Sequence, residues 1–379
     1  MSSTRNSALE IKSIPQMDLA AQYAVIGDEI RDAVTGVLAS QQFVLGKEGL
    51  SLESEIAELC GVEHGIGVAS GTDALILALR AAGVNAGDEV ILPPFTFVAT
   101  GSAVSALGAI PVFADIDRKT FNISADGIAR RITPRTRAIV VVHLYGLAAD
   151  MDPILAIAKS HGIRVVEDNA QAIGARYKGK PTGGLGDLGC TSFYPTKNLG
   201  AYGDAGMIVT NSEEMDVRLR SLRNHGQSSR YVSAEPGCNS RLDEIQAAIL
   251  RVKLRYLRSW ELARRAHAAE YTKLLQPLDC VKTPVISDGC EHVFHQYTIR
   301  VPRRSELQKF LSDRKIGNAV YYPVPLHLQP IYAQSGHGPG SFPEAERAAE
   351  EVLCLPIFPE LTSEQIQRVA GAITEFFAR

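Results

Sequence analysis

Between residues 65 and 210, short β-like runs alternate with helical segments, and that alternation decides most of what the chain can become. The runs fall at 65–69, 89–92, 110–113, 138–144 and 163–167, with helical spacing at 74–82 and 153–161 and a helix starting at 95–100. Units of this length need crossover connections, so they predict an α/β fold with a mostly parallel central sheet. In such sheets ligands collect beyond the carboxyl ends of the strands. The polar residues just past each run are therefore the first candidates for a site.

Three such places stand out. Ser70-Gly71-Thr72-Asp73 opens the helix at 74–82, where free N–H groups, hydroxyls and the helix dipole favour a phosphate. The same residues also make a plain helix cap, the simpler reading of that stretch alone. Asp168 ends the run at 163–167, and taken alone it is a strand-end carboxylate. Lys197 lies on a polar turn after Pro195, between β-like runs at 190–194 and 207–210. A partly desolvated lysine has a lowered amine pKa and can form a Schiff base, and a solvated loop lysine is the equal alternative. Three polar places on one rim of a sheet weigh more than any one of them.

One pattern misleads. Gly184-Leu185-Gly186-Asp187-Leu188-Gly189 matches a dinucleotide fingerprint by letter, but it follows a polar loop and feeds a strand. A dinucleotide site needs the pattern to follow a strand and open a helix. A nicotinamide oxidoreductase is thereby excluded.

The 379 residues, 45% hydrophobic and 21% charged, can bury a large core and predict two domains. We place a large α/β domain at 1–252 and a smaller α+β domain at 253–379, divided inside a long basic helical stretch at 242–275. Beyond residue 211, helices are expected at 216–223, 306–314, 345–353 and from Ser363, strands at 293–301, 319–322 and 355–358, and a long polar loop at 225–236. A net charge of -3 argues against nucleic acid or an anionic membrane as partner. The six cysteines are scattered without a C-x-x-C pair, which predicts neither disulfides nor a metal site and suits a reducing cytoplasm. Residues 1–12 are polar, are expected to fray and lack the apolar core of an export signal. The most apolar stretch, 138–149, contains His143 and is too short to span a bilayer. The expectation is a cytoplasmic protein.

Six motifs occur in order along the chain: Ser70-Gly71-Thr72-Asp73-Ala74-Leu75, residues 94–100, Val166-Glu167-Asp168 with Ala170-Gln171-Ala172, residues 192–198, Asn239-Ser240-Arg241-Leu242-Asp243-Glu244, and Leu355-Pro356-Ile357-Phe358-Pro359. Together they resemble the DegT/DnrJ/EryC1/StrS sugar aminotransferases over about residues 14 to 375. The resemblance implies the aspartate aminotransferase-like fold (fold type I) and pyridoxal 5'-phosphate as cofactor. It makes Lys197 the Schiff-base lysine and proton carrier, and Asp168 the partner of the pyridine nitrogen. Gln171 would meet the ring oxygen, Phe97 would stack on the ring, and Gly71, Thr72 and Ser192 would bind the phosphate. A core phenylalanine is the rival reading of Phe97.

The resemblance also implies a homodimer with shared active sites. Asn239 would reach the partner's phosphate, and Tyr194, His225, Arg241, Tyr321 and His327 would lie near the substrate. The implied reaction moves an amino group from L-glutamate (or glutamine) to a nucleotide-linked keto-sugar. A dTDP-3-oxo-6-deoxyhexose comes first, a UDP-linked 3-keto sugar or uronic acid second, and a 4-keto sugar third. Dehydratases of the family replace the lysine with histidine, so Lys197 speaks against that activity. A non-catalytic sugar-nucleotide-binding regulator is the rival from another class, and the intact Asp168, Gln171, Ser192 and Lys197 set weighs against it. Two residues depart from the family pattern: Tyr321 stands where many members have histidine, and Ala205 where glycine is usual.

Overall fold

The structure, a computed structural model, describes residues 12–379. Its central sheet contains β1 (His64–Val68), β2 (Glu89–Leu92), β3 (Ile110–Phe113), β4 (Thr136–Val142), β5 (Arg164–Asp168), β6 (Leu188–Ser192) and β7 (Gly206–Thr210). Their spatial order is β1-β7-β6-β5-β4-β2-β3. The run from β6 to β3 pairs in parallel, while β7 is antiparallel to both β6 and β1. Two reversals cancel, so β1 points the same way as β5 and β6. The segments leaving β1, β5 and β6 therefore emerge on one rim.

The strands are apolar on both faces because helices cover both. Val90, Leu92, Val140 and Val166 pack on one side with Leu75 and Leu79 of the Gly71–Ala81 helix and Leu219 of the Glu213–Leu222 helix. Ile91, Ile139, Val141 and Val165 face the other way, onto Ile154 and Ala158 of the Met151–His161 helix. The Glu244–Leu275 helix runs from one core to another. Its Leu250 and Leu257 pack with Met207 and Val209, while Ala268, Tyr271 and Leu275 pack against the C-terminal elements. Those elements are the antiparallel pair Tyr297–Arg300 and Val352–Leu355 and the helix Ser363–Phe377, which a Thr362/Gln365 capping box opens. The boundary placed near 253 falls inside the long helix.

Several sequence expectations change here. Residues 319–322 form no strand: Ala319 makes a single bridge to Cys354, and the Tyr321 carbonyl is taken by the Tyr145 hydroxyl. The strand sought at 293–301 begins only at Tyr297, because Phe294 adopts a left-handed backbone at φ 46. The strand sought at 355–358 lies earlier, at Val352–Leu355, since the preceding helix ends at Glu351. The loop at 225–236 contains a small hairpin, Gln227–Ser229 with Val232–Ser233. The fraying expected at the N-terminus concerns residues 1–11, outside the described ones, and Lys12. Among the described residues, no helix is long and apolar enough to cross a membrane.

Candidate active site

Lys197 sits on the connection between β6 and β7, and that connection is tied down at several points. Phe193 N–H donates to Ala205 O (2.9 Å), Ala201 N–H to Phe193 O (2.8 Å) and Lys197 N–H to Tyr194 O (2.8 Å). From the long helix, the buried Lys253 Nζ donates to Gly200 O at 2.6 Å. The Lys197 side chain faces a cleft of about 480 Å³. Burial lowers its amine pKa from 10.5 to about 8, and the nearby Asp168 carboxylate offsets part of that fall.

Asp168, at the end of β5, lies in the same cleft and is almost wholly buried. Its Oδ2 accepts from Thr100 Oγ1 (2.9 Å) and its Oδ1 from Ala170 N–H (3.2 Å). A carboxylate only accepts, so the Thr100 proton points at Asp168 and the Thr96 hydroxyl, 3.0 Å away, donates to Thr100. Burial still raises the Asp168 pKa, against the opposing pull of Thr100, Ala170, Lys197 and His143.

The third part is the start of the Gly71–Ala81 helix. Ser70 Oγ accepts from Asp73 N–H (3.1 Å), which leaves the first N–H groups of the helix, those of Gly71 and Thr72, free for an anion. Gly71 is required by contact: a Cβ there would lie 2.5 Å from Ser192 Cβ. The helix start thus abuts the end of β6 and brings Ser192 beside Gly71. Phe97, one of the expected residues, is 55% exposed on the cleft wall, so the core-phenylalanine reading fails; its neighbour Phe95 is the buried one.

Of the expected site residues, Gly71, Thr72, Phe97, Asp168, Gln171, Ser192, Tyr194, Lys197 and Tyr321 line this one cleft. Asn239, Arg241 and His225 do not. They occupy a neighbouring surface segment in which His225 N–H donates to Cys238 O (2.8 Å) and Arg241 Nη1 to Asn224 Oδ1 (3.2 Å). His327 is a correction. Its imidazole is fully buried against Phe342 and bonded to Glu346 Oε1 at 3.1 Å, so a substrate in the cleft cannot touch it. Ala205 adopts an ordinary backbone and packs in the core, so its departure from glycine introduces no strain.

Sequence reasoning missed Thr96, Thr100, His295 and Tyr322. Threonines four apart at a helix start were the available signal for the first two. His295 lines the cleft with one ring nitrogen 3.2 Å from Asn198 Oδ1, and burial holds its pKa well below 6.5. The start of the rejected glycine pattern, with Gly183 just before it, has a use of its own. The N–H groups of Gly183, Leu185 and Gly186 donate to the buried Glu167 carboxylate at 2.7–2.8 Å. His143 Nε2 bonds the same carboxylate (2.7 Å), and Ala149 N–H donates to His143 Nδ1, which assigns the ring proton to Nε2.

These residues fit pyridoxal 5'-phosphate: a free anion cradle, a buried carboxylate, an exposed aromatic face and a lysine of lowered pKa line one cleft of suitable size. Among the described residues, no group of three or more His, Cys, Asp or Glu is arranged to hold a metal.

Comparison with known proteins agrees. The model of the DegT/DnrJ/EryC1/StrS aminotransferase family matches residues 24–374. A pleiotropic regulatory protein of Geobacillus stearothermophilus is 52% identical over 96% of this chain and 99% of the relative. The UDP-N-acetyl-3-dehydro-alpha-D-glucosamine 3-aminotransferase of Acidithiobacillus ferrooxidans is 49% identical over 98% of each. The dTDP-3-amino-3,4,6-trideoxy-alpha-D-glucose transaminase of Streptomyces venezuelae is 44% identical over 99% of each. The crystal structure of S. venezuelae DesV in complex with a ketimine intermediate superposes with a TM-score of 0.95 at 45% identity, covering 97% of this chain and 99% of that one. The chain belongs to the DegT/DnrJ/EryC1/StrS aminotransferase family.

Proposed function

We propose that this protein is a pyridoxal 5'-phosphate-dependent aminotransferase that moves an amino group from L-glutamate to the 3-keto carbon of a nucleotide-linked sugar. The observation that carries this reading is the convergence of Lys197, Asp168 and the Gly71–Thr72–Ser192 cradle on one cleft. When bound, the cofactor supplies the electron sink that the chemistry needs. The chain's own residues do the rest. Gly71, Thr72 and Ser192 bind the phosphate and set the cofactor's position. Asp168, held by Thr100 and Ala170, places negative charge against the ring nitrogen. Phe97, exposed on the cleft wall, would stack on the ring. Lys197 Nζ, its pKa lowered by burial, would take the proton from the donor's α-carbon and carry it onward.

Asn239, His225 and Arg241 lie outside their own chain's cleft, and we assign them to the cleft of a second copy in a homodimer. A shared site of this kind is consistent with the exposure of Asn239 and His225. Among substrates, a dTDP-3-oxo-6-deoxyhexose and a UDP-linked 3-keto hexosamine are the two to set side by side. The relative that acts on a UDP sugar is slightly more similar than the one that acts on a dTDP sugar, at 49% against 44%. A regulatory role finds support in the 52% identical relative, but a regulator has no need of the Lys197–Asp168 pair.

The test is amino transfer itself. Purified protein is incubated with cofactor, 15N-labelled L-glutamate and each 3-keto and 4-keto nucleotide sugar in turn. Mass spectrometry should find 15N in one 3-amino product, and none with Lys197→Ala. No incorporation from any sugar, with wild type and variant alike, would leave the regulatory reading in its place.

A further inference from the structure

The Glu244–Leu275 helix carries two cations, Lys253 and Arg264, that are almost wholly buried. Among the described residues neither forms an ion pair, and Glu360 acts on both only through space. Burial lowers the Lys253 pKa to about 8 and the Arg264 pKa to about 10. A buried ammonium without a counter-ion is costly, and a methionine of similar length would avoid that cost. Stability therefore does not account for a lysine at 253.

What the amine does is directional. Its Nζ donates to Gly200 O at 2.6 Å and lies 4.2 Å from the centre of the Tyr202 ring. Gln246, on the same helix, holds the backbone beside it. Tyr202 N–H donates to Gln246 Oε1 (2.9 Å), and Gln246 Nε2 donates to Tyr202 O (3.3 Å). Both anchors fall on the loop that carries Lys197. That loop is closed on itself, since Lys197 N–H donates to Tyr194 O and Ala201 N–H to Phe193 O. Gly200 packs so tightly on its start that a Cβ there would lie 2.3 Å from Pro195 O. A shift of Gly200 is passed to Pro195, and with it to Lys197.

The anchors continue along one stripe of the helix. Gln246, Lys253 and Arg264 are spaced by about two and then about three turns, so they share a face. Arg264 Nη1 donates to Phe294 O (3.1 Å) and to Ile357 O (2.8 Å). Phe294 leads directly into His295, which lines the cleft. We propose that Lys253 is a positioning residue for Lys197. Its bond to Gly200 O ties the lysine loop to the long helix, to which Arg264 ties the His295 segment, so the two cleft segments keep one spacing. The use made of Lys197 rests on the aminotransferase reading above; the anchor rests on the fold alone. A reacting group misplaced by about 1 Å loses up to about a hundredfold in rate, which is the scale on which a loosened loop is felt.

The test compares wild type, Lys253→Met and Lys253→Arg. In cofactor-free protein, hydrogen exchange read by mass spectrometry follows the amides of residues 196–202. They should exchange at least about tenfold faster in Lys253→Met, and Lys253→Arg, which keeps a donor, should recover most of the protection. In cofactor-loaded protein, the rate at which saturating L-glutamate bleaches the visible band should fall about tenfold to a hundredfold in Lys253→Met. The glutamate concentration for half-maximal rate should stay within about twofold, and the thermal midpoint should hold. Unchanged exchange in Lys253→Met overturns the anchor, and faster exchange at an unchanged bleaching rate overturns the positioning role. A rate that falls only in step with the thermal midpoint also overturns it, in favour of a merely structural lysine. If Lys253→Met gives no folded protein, Gln246→Leu frees the same loop at Tyr202 and decides by the same two readouts. Failure of the aminotransferase reading looks different, because wild type would then not respond to glutamate while the exchange contrast at 196–202 persists.

Discussion

The Thr100 hydroxyl donates to Asp168 Oδ2 at 2.9 Å, fully buried, and takes its own hydrogen bond from Thr96. A hydrogen bond to a charged group contributes about 1.5–3 kcal/mol. Thr100→Val removes it while keeping the shape, so affinity for pyridoxal 5'-phosphate should fall roughly tenfold to a hundredfold. Thr100→Ser should restore most of the loss. Titrating cofactor-free protein by absorbance checks both, and wild-type affinity in Thr100→Val would show the bond to be idle.

Gly71 and Ser192 touch because the helix start has no side chain there. Gly71→Ala forces one of them to move, and overpacking of this kind costs about 1–3 kcal/mol. The expected result is selective. Binding of pyridoxal 5'-phosphate should weaken at least about tenfold, while binding of pyridoxal, which lacks the phosphate, stays within about twofold. Equal losses for the two ligands would mean that the cradle does not hold the phosphate.

The Lys197 amine titrates at about 8 in the cofactor-free protein, lowered by burial. Only the neutral amine attacks an aldehyde, so the rate of recombination with cofactor should climb about tenfold per pH unit below that value and level off above it. Asp168 holds the amine pKa up, so Asp168→Asn should move the break to lower pH. Stopped-flow rates between pH 6.5 and about 9.5 report the break. A break still near the ordinary lysine value would mean that the amine is solvated.

Glu167 accepts three backbone N–H groups and one imidazole N–H in a fully buried place. In Glu167→Gln the new NH₂ must face one of those donors, which leaves buried groups unpaired at a cost on the order of 3 kcal/mol. The thermal midpoint should fall by several degrees, about 5–10 °C. The hydrogen-bond partners of the Glu167 carboxylate, His143, Gly183, Leu185 and Gly186, do not line the cleft, so cofactor affinity measured below the transition should change much less.

The alternation of strands and helices was legible in the order of residues, because an apolar run of four or five residues bounded by turn residues has few other places to go. β2 and β3 lie where that reading put them. The same reading failed at 319–322, a run with strand composition whose carbonyl at Tyr321 goes to a side chain 176 residues away. No local pattern records such a partner.

The sequence by itself therefore determined the sheet, the rim on which ligands gather, and Lys197, Asp168 and Gly71 as the residues to look for there. Each has a plain local reading, and it is their coincidence on one rim that singles them out, since strand ends, helix starts and a lysine between two buried strands are short-range features. Tertiary structure alone decided which residues serve them. Thr100 reaches Asp168 across 68 positions and Tyr322 meets Gln171 across 151. It also removed His327 from the cleft and turned the glycine run at 183–186 into a cradle for Glu167. Burial and hydrogen-bond direction are properties of packed surroundings, and in this chain those surroundings come from segments far apart in sequence.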